Sequence, residues 1–173
     1  MSSNLLLRLD ARDRALLTRW AIGDAPSRTV VLAWLAVTHL GGVACSIVIA
    51  IMPFFLDGLP DSIGFDAMRT LLFSHLVVQL VKRTVTRPRP AHVRSGTGLI
   101  KAPDRFSFPS GHAAAAMSVA FAYSVAYPTL AAPLVMLAIT VGMSRVTLGV
   151  HYPGDVAVGQ LLALLTGAII ISV

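Results

Sequence analysis

Residues 109 to 150 read PSGHAAAAMSVAFAYSVAYPTLAAPLVMLAITVGMSRVTLGV, an apolar stretch with polar residues at both ends. The stretch is too long for one membrane span, since about 20 residues of helix cross the hydrocarbon core. Pro128 and Pro133 divide it, because proline removes a backbone donor and interrupts a helix. The sequence therefore predicts two spans, at 112–127 and 134–150, that return the chain to the membrane face from which it started.

Apolar segments also lie on both sides of this hairpin, at 29–55, 64–81 and 156–173. Each is apolar enough to form a membrane-spanning helix, although some are shorter than the usual length. Together with the hairpin they predict an all-α, integral membrane bundle of about five transmembrane helices. The chain is long enough for one domain, 1–173, and leaves little room for a second.

The first residues differ from these spans, because charged and apolar side chains are mixed over 5–22. In a helix, Arg8, Arg12 and Arg19 would share one face and the leucines another. This pattern is typical of an amphipathic helix that lies in the membrane interface, although a solvated helix capping the bundle would also produce it. The charges interrupt the apolar run that a cleaved signal peptide would need.

Composition also indicates a membrane protein. Hydrophobic residues make up 55% of the chain and charged residues 13%, with a mean hydropathy of +0.76, whereas about 25% of a soluble domain is charged. The formal net charge of +6 is typical of a cytoplasmic face or an anion site in a membrane protein. Nucleic acid is not an expected partner, because the basic residues flank apolar spans. The single cysteine, Cys45, excludes an intramolecular disulfide.

Three polar patterns follow one another at the ends of the predicted spans. They are KRTVTRPRP at 82–90, PSGH at 109–112 and SRVTLGVHYPGD at 144–155. In the five-span arrangement all three lie at one membrane face, together with the long loop 83–109. Polar side chains and irregular backbone belong there rather than in lipid. We therefore expect the patterns to form one site, with 83–109 as its loop.

Several residues of these patterns are suited to binding one phosphate. Lys82, Arg89 and Arg145 supply positive charge, and each arginine can bind two oxygens. Ser110 is a good N-cap for a helix, and Gly111 lets the backbone approach a ligand without a Cβ in the way. The free N–H groups of that helix start attract phosphate oxygens.

Two histidines and one carboxylate complete the predicted site. His112 and His151 can transfer a proton or attack phosphorus, and Asp155, four residues after His151, can orient an imidazole ring. No other carboxylate belongs to the three patterns, and no acidic cluster or Cys/His pattern in the sequence indicates a metal or another cofactor. This set of residues is sufficient for phosphate ester hydrolysis without a metal.

Together the patterns resemble the motifs of type 2 phosphatidic acid phosphatases, or lipid phosphate phosphatases, of the membrane-bound bacterial type: K-x6-R-P, P-S-G-H and S-R-x5-H-x3-D. The resemblance implies that His151 is a nucleophile that forms a phosphohistidine and that Asp155 holds its other ring nitrogen. It implies that His112 protonates the leaving group and then activates water. Soluble acid phosphatases and vanadium haloperoxidases share these motifs, but the apolar composition excludes them.

The resemblance also implies a substrate class, a lipid phosphate monoester or diphosphate that enters from the bilayer. The small size of the chain favours a polyprenyl phosphate or diphosphate, with glycerolipid and lipid A phosphates as further candidates. The alternative is a catalytically silent membrane subunit that binds or transports a lipid phosphate, against which the intact His112, His151 and Asp155 argue. Family members usually have six spans, so the helix at 5–22 would take the place of the first.

Basic residues outside the motifs are distributed unequally between the two membrane faces. The face opposite the site has Arg69 alone, beside Asp57, Asp61 and Asp66. The positive-inside rule therefore predicts a plasma (inner) membrane protein with a cytoplasmic active site, whereas the resemblance implies an outward or lumenal one. The loop cations either extend the phosphate site or have a plain loop role. On the active-site face lie Arg8, Arg12, Arg14, Arg19, Arg28, Arg83, Arg87, Arg94, Lys101 and Arg105.

Overall fold

The structure, a computed structural model, describes residues 2–23, 26–90, 100 and 104–172, with side chains from Asp10 onward. Within these residues the regular elements are helices and no β-strand forms, which confirms the predicted all-α class. In chain order they are α1 (Ser2–Trp20), α2 (Arg28–His39), α3 (Val43–Ile51), α4 (Asp61–Val85), α5 (Gly111–Ala126), α6 (Ala131–Thr147) and α7 (Pro153–Ile171), with short 3-10 helices at Met52–Phe55 and Pro128–Leu130.

Helix α5 is at the centre of the bundle and contacts α3, α4, α6 and α7. Its buried face consists mostly of small side chains, with Ala114 and Ala120 on either side of Met117. Ala138 of α6 and Ala163 of α7 pack against this face. Small residues let helices approach closely in a membrane, where packing rather than water exclusion drives their association.

The start of α5 is attached directly to α7. The backbone N–H of Ser110 donates to the carbonyl of Asp155 at 2.9 Å. Gly159, one turn further along α7, lies so close that a Cβ there would be 2.5 Å from the Ser110 carbonyl oxygen. This close approach holds the PSGH turn next to the segment that carries Asp155.

The predicted span 29–55 is divided in the structure. Helices α2 and α3 meet at an angle of 48° on either side of the break at Leu40–Gly42. A Cβ on Gly41 would be 2.6 Å from Val141 Cγ1 and 2.7 Å from the His112 carbonyl oxygen, so only glycine fits at the break. The break therefore lies beside His112, at the level of the motif residues.

The other helices begin and end near the predicted bounds, with a consistent offset at prolines. The predicted spans 134–150 and 156–173 begin after Pro133 and Pro153, whereas α6 and α7 include those prolines in their first turns. Proline is tolerated there because the first-turn N–H groups have no intrahelical partner. The predicted helices 5–22, 64–81, 112–127, 134–150 and 156–173 correspond to Ser2–Trp20, Asp61–Val85, Gly111–Ala126, Ala131–Thr147 and Pro153–Ile171.

Two described helical segments are long and apolar enough to cross a membrane. One is Pro128–Thr147, which joins the second 3-10 helix to α6, and the other is α7 (Pro153–Ile171). The bent pair formed by α2 and α3 is a third candidate if it makes a single span. Helix α5 is apolar but has 16 residues, and α4, with 25 residues, falls outside this class. The chain is therefore an all-helical membrane protein.

The predicted loop 83–109 is described only in part. Its first residues belong to α4, and residues 91–99 and 101–103 lie outside the described residues. Arg94 and Lys101, which are predicted to lie at the active-site face, are among the residues outside the described part. The remaining loop residues pack together, since the Ser107 N–H donates to the Arg87 carbonyl at 2.9 Å and Pro88 bridges to Phe106.

Candidate active site

Lys82 and Arg89 lie side by side and share one carboxylate. Lys82 Nζ is 2.5 Å from Asp104 Oδ2, and Arg89 Nη2 is 2.8 Å from Asp104 Oδ1. Both cations are buried, whereas Asp104 is partly exposed. Two desolvated cations need an anion, and a phosphate could take the place of the carboxylate in the same pair of contacts.

Arg145 is the third predicted cation and is almost completely buried. Its Nη1 donates to Thr38 Oγ1 at 2.7 Å, and its Nε has no hydrogen-bond partner. Among the described residues no carboxylate forms an ion pair with it. A buried guanidinium with an unpaired N–H is costly unless an anion binds it, so Arg145 is well suited to a phosphate oxygen.

The backbone at the start of α5 offers further donors. Ser110 is the N-cap, and its side chain accepts from the Ala113 N–H at 3.5 Å. A Cβ built on Gly111 would meet nothing within 4 Å, so this residue faces open space. The first N–H groups of a helix and its dipole attract anions. Ser110 and Gly111 thus lie where they can bind a phosphate.

A glycine turn connects Arg145 to His151. Gly149 has a φ of 72°, in the left-handed region, which ends α6. The Gly149 N–H donates to the Val146 carbonyl at 2.8 Å, and the Val150 N–H donates to the Arg145 carbonyl at 3.0 Å. These two bonds are the Schellman pattern, and the His151 N–H also donates to Arg145, at 3.2 Å. The spacing within S-R-x5-H is therefore that of a helix end folded back on itself.

His151 is buried and in contact with Arg89. Arg89 Nη1 lies 3.2 Å from His151 Nε2 and 2.9 Å from the Val150 carbonyl. A guanidinium can only donate, so Nε2 is the acceptor and the ring proton is on Nδ1. Burial lowers the pKa of His151 to about 4, Arg89 and Arg145 lower it as well, and Asp155 acts in the opposite direction. At neutral pH the imidazole is uncharged and has a lone pair on Nε2.

Asp155 lies behind His151, as the sequence predicts, but the contact is long. His151 Nδ1 is 3.4 Å from Asp155 Oδ2, which is within ion-pair distance, yet Nδ1 makes no well-formed hydrogen bond. The same oxygen accepts the Tyr152 N–H at 2.9 Å, which caps the start of α7. The carboxylate therefore lies on the Nδ1 side of the ring, where the contact can shorten when charge develops on the ring.

His112 is the second residue of α5. The charges of Arg145, Lys82 and Arg89 and the ring of His151 are close enough to act on it electrostatically. A Cβ on Gly42 would lie 3.9 Å from His112 Nε2, so the break between α2 and α3 lies next to this ring nitrogen. All eight predicted site residues are thus brought together in the described part of the chain.

Three residues that contact the site were not assigned to it from the sequence: Thr38, Arg87 and Asp104. Thr38 binds Arg145 from a predicted span, and Asp104 binds the two cations from the loop. Arg87, for which a phosphate role or a plain loop role was open, instead pairs with Asp155. Only Asp104 had a signal in the sequence, since it is an acidic residue within a basic loop.

The arrangement can stabilise and attack a phosphorus centre. Arg89 brings positive charge next to a neutral imidazole, with Lys82 and Arg145 nearby, and such preorganised charge favours the transition state of phosphoryl transfer. Among the described residues, no group of His, Cys, Asp or Glu side chains is arranged to bind a metal ion. His151 Nε2 carries a lone pair that can attack phosphorus, and His112 is a second imidazole that can transfer a proton.

Comparison with curated proteins gives relatives for part of the chain. A decaprenylphosphoryl-5-phosphoribose phosphatase of Mycobacterium tuberculosis is 40% identical over 104 residues, which cover 58% of this chain and 55% of the relative. A lipid A 1-phosphatase of Rhizobium johnstonii is 36% identical over 102 residues, which cover 56% of this chain and 42% of the relative. The chain thus spans about half the length of the curated relatives it matches.

A solved structure shares the fold. The crystal structure of a transmembrane PAP2-type phosphatidylglycerolphosphate phosphatase from Bacillus subtilis matches with a TM-score of 0.75 over 95% of this chain and 85% of that one, at 24% identity. The family model described as "PAP2 superfamily" matches residues 64–173, which is more than half of the chain and includes every motif residue. The resemblance based on the motifs is confirmed: this chain belongs to the PAP2 superfamily.

Proposed function

We propose that the protein hydrolyses a lipid phosphate monoester or diphosphate, without a metal, through a phosphohistidine on His151. The observation that carries this proposal is the neutral Nε2 of His151, held 3.2 Å from Arg89 Nη1 with Asp155 behind the ring. A phosphate bound to Arg89, Lys82 and Arg145 would place its phosphorus in front of that lone pair.

In the first step His151 Nε2 attacks phosphorus and the bond from phosphorus to the alcohol oxygen breaks. Protonated His112 gives its proton to that oxygen, because an alkoxide is a poor leaving group. In the second step neutral His112 takes a proton from water as the water oxygen attacks phosphorus. The P–N bond then breaks, inorganic phosphate leaves, and both histidines regain their starting states.

An apolar cavity beside the site supports a lipid substrate. Its volume is about 230 Å³, and its lining includes Leu40 and Val141, which adjoin the break at Gly41, and Tyr123 further along α5. The cavity is close to His112 because Gly41 contacts both Val141 and the His112 carbonyl. We favour a polyprenyl phosphate or diphosphate, since the M. tuberculosis relative is named for a decaprenyl lipid; glycerolipid and lipid A phosphates are the other candidates.

We infer a single domain, 1–173, with five membrane passes and an interfacial N-terminal helix. A membrane pass by α4 is supported by an exposed apolar face suited to lipid contact, since Leu72, Leu76 and Leu80 are about half exposed. Large apolar side chains in water would be unfavourable, whereas lipid solvates them. An interfacial position of α1 is supported by Leu17, which packs between the ends of α6 and α7, and by Trp20, which faces outward.

The purified protein in detergent should release inorganic phosphate from lipid phosphates in excess chelator, and vanadate should inhibit it. The reason is that cationic side chains, rather than a metal held by a carboxylate cage, neutralise the phosphate. Vanadate can adopt five coordination on His151, as phosphorus does in the transition state. The measurement is phosphate release from polyprenyl, glycerolipid and lipid A phosphates, with and without chelator.

Loss of activity in chelator with recovery on adding magnesium would contradict the metal-independent mechanism. Absence of phosphate release from every lipid, combined with retained binding of the same lipids, would instead favour a silent binding or transport subunit. The matched control is His75→Asn, because His75 lies on α4 and forms a hydrogen bond with Gln79 outside the site.

We propose that the site faces the cytoplasm at the plasma (inner) membrane, where it would act on an intermediate made inside the cell. The support is the excess of arginines near α1, which contacts the site ends of α6 and α7. In a Cys45→Ala background, a membrane-impermeant thiol reagent should leave Thr97→Cys unlabelled in intact cells and label Asp57→Cys. Position 97 lies outside the described residues, whereas Asp57 is exposed at the opposite face. Labelling at 97 and not at 57 would show that the site faces outward.

A further inference from the structure

Arg87 lies at the centre of a cluster of three carboxylates from two distant parts of the chain. Its Nη1 donates to Asp155 Oδ1 and to Asp13 Oδ2, both at 2.7 Å, and its Nη2 donates to Asp10 Oδ1 at 2.7 Å. The guanidinium carbon is 4.0 Å from the centre of the Tyr152 ring. Arg87 is therefore held from several directions. Its contacts with the motif at 144–155 are to Asp155 and Tyr152.

These contacts fix the rotation of the Asp155 carboxylate. Oδ1 is bound by Arg87, and Oδ2 accepts the Tyr152 N–H at 2.9 Å while facing His151 Nδ1 at 3.4 Å. Asp155 has no exposed surface, so its carboxylate depends on the donors that pack against it. Without Arg87 the buried Oδ1 would lack a partner, and the carboxylate would be expected to rotate away from His151 to find one.

Helix α1 supports the same arrangement from the other side. Asp13 Oδ1 accepts the Gly154 N–H at 2.7 Å, one residue before Asp155. A Cβ on Gly154 would lie 2.9 Å from Asp13 Oδ2, so the helix start and α1 are in close contact. Leu17, one turn after Asp13, packs against Tyr152 and Val156. Helix α1 is thus attached to the segment that presents His151 and Asp155.

The charges in this cluster also keep Asp155 available to His151. A single guanidinium facing Asp155 alone would bind the carboxylate strongly and weaken the hydrogen bond that it can accept from the imidazole Nδ1–H. Here Asp10 and Asp13 share that guanidinium. Attraction to the buried Asp155 is the largest effect that raises the pKa of Arg87, against the opposing effect of burial, so the guanidinium stays charged.

We propose that Arg87, held by Asp10 and Asp13 of α1, is a positioning residue that orients Asp155 towards His151. The inference rests on the proposed function, because it is Asp155 acting on His151 that makes the orientation matter. It assigns α1 to the active-site architecture, in addition to the interfacial position proposed for it.

Replacing Arg87 by alanine should lower kcat about 10- to 100-fold, by analogy with the loss when a partner that orients a metal-binding histidine is removed. KM should change less than about threefold, because the guanidinium of Arg87 binds three carboxylates rather than the phosphate-binding residues. Arg87→Lys should recover part of the loss, since one ammonium cannot form the forked contacts of a guanidinium. Arg69→Ala, which removes the exposed ion pair with Asp66 at the other end of α4, is the matched control and should leave kcat unchanged.

Asp13→Asn tests the role of α1 without touching Asp155. It should lower kcat less than Arg87→Ala does, and the double variant Asp13→Asn/Arg87→Ala should be no worse than Arg87→Ala alone, because both act through one contact. Independent, multiplicative losses would contradict the coupling. If Arg87→Ala fails to fold, the inference is tested with Arg87→Lys and Asp13→Asn instead. A kcat equal to that of the wild type in both variants would overturn the inference.

A spectroscopic readout separates this inference from the proposed activity. In protein labelled with 15N-histidine, the His151 signals, identified by their loss in His151→Asn, should report a proton on Nδ1 in the wild type. In Arg87→Lys and Asp13→Asn the Nδ1–H proton resonance should move upfield, because a rotated Asp155 interacts less with Nδ1–H while Arg89 still fixes the tautomer, and in Arg69→Ala it should not move. An unchanged resonance with normal phosphate release would overturn the inference and leave the function intact; a shifted resonance in a protein that hydrolyses no lipid phosphate would support the positioning and reject the function.

Discussion

Replacing His151 by asparagine should reduce kcat on every lipid phosphate by about 10⁴- to 10⁶-fold, as expected when the nucleophile of a concerted catalytic group is removed. Asparagine preserves approximate size and polarity but has no lone pair able to form a P–N bond. Lys82, Arg89 and Arg145 are unchanged in the variant, so the phosphate should still bind. The measurement is phosphate release under saturating substrate, alongside equilibrium binding of the same lipid phosphate.

Two controls make this prediction specific. The variant should keep the thermal melting behaviour of the wild type, since His151 packs at a helix end rather than in the cluster of α5, α6 and α7. His75→Asn should retain full activity. Residual turnover by His151→Asn within about tenfold of the wild type would mean that water or another side chain attacks phosphorus directly.

Replacing His112 by asparagine should have an effect that depends on the leaving group. Hydrolysis of alkyl phosphates should fall by about 10²- to 10⁴-fold, the usual contribution of a general acid. An aryl phosphate such as p-nitrophenyl phosphate leaves without a proton, so its first step should be much less affected. The second step also needs His112, as base, and should be slow for both substrates.

The signature of His112→Asn is therefore a burst. One equivalent of p-nitrophenol should appear quickly per enzyme, followed by slow turnover as the phosphohistidine accumulates. Rapid-mixing absorbance measures the burst, and alkyl substrates should show none. Equal losses in the first step on alkyl and aryl substrates would contradict the assignment of His112 as the acid.

The predicted site residues could be identified from the sequence because local geometry fixes their spacing. His151 follows Arg145 through a Schellman turn that needs Gly149, and Asp155 caps the helix that begins after His151. Such relations involve neighbouring residues, so the sequence records them as motifs. The PSGH turn is likewise a helix start, where Ser110 is the N-cap.

The contacts that could not be predicted join segments far apart in the chain. Thr38 binds Arg145, and Asp13 binds Arg87; no periodicity or spacing relates these pairs. The break at Gly41 was also missed within a predominantly apolar span, because it is the close approach of Val141 and the His112 carbonyl that requires glycine. Tertiary packing, rather than local preference, decides these features.

The most direct test of the account is to look for phosphate bound to His151. The wild type would be mixed with a lipid phosphate labelled on phosphorus, and His112→Asn with labelled p-nitrophenyl phosphate, whose first step does not need the acid. Both would be quenched in alkali within milliseconds and digested. Phosphohistidine is stable in alkali and labile in acid, so the label should be found on the peptide that contains His151, with more of it in His112→Asn and none in His151→Asn. Rapid phosphate release with no label on that peptide in either protein, or label on His112 instead, would contradict the mechanism.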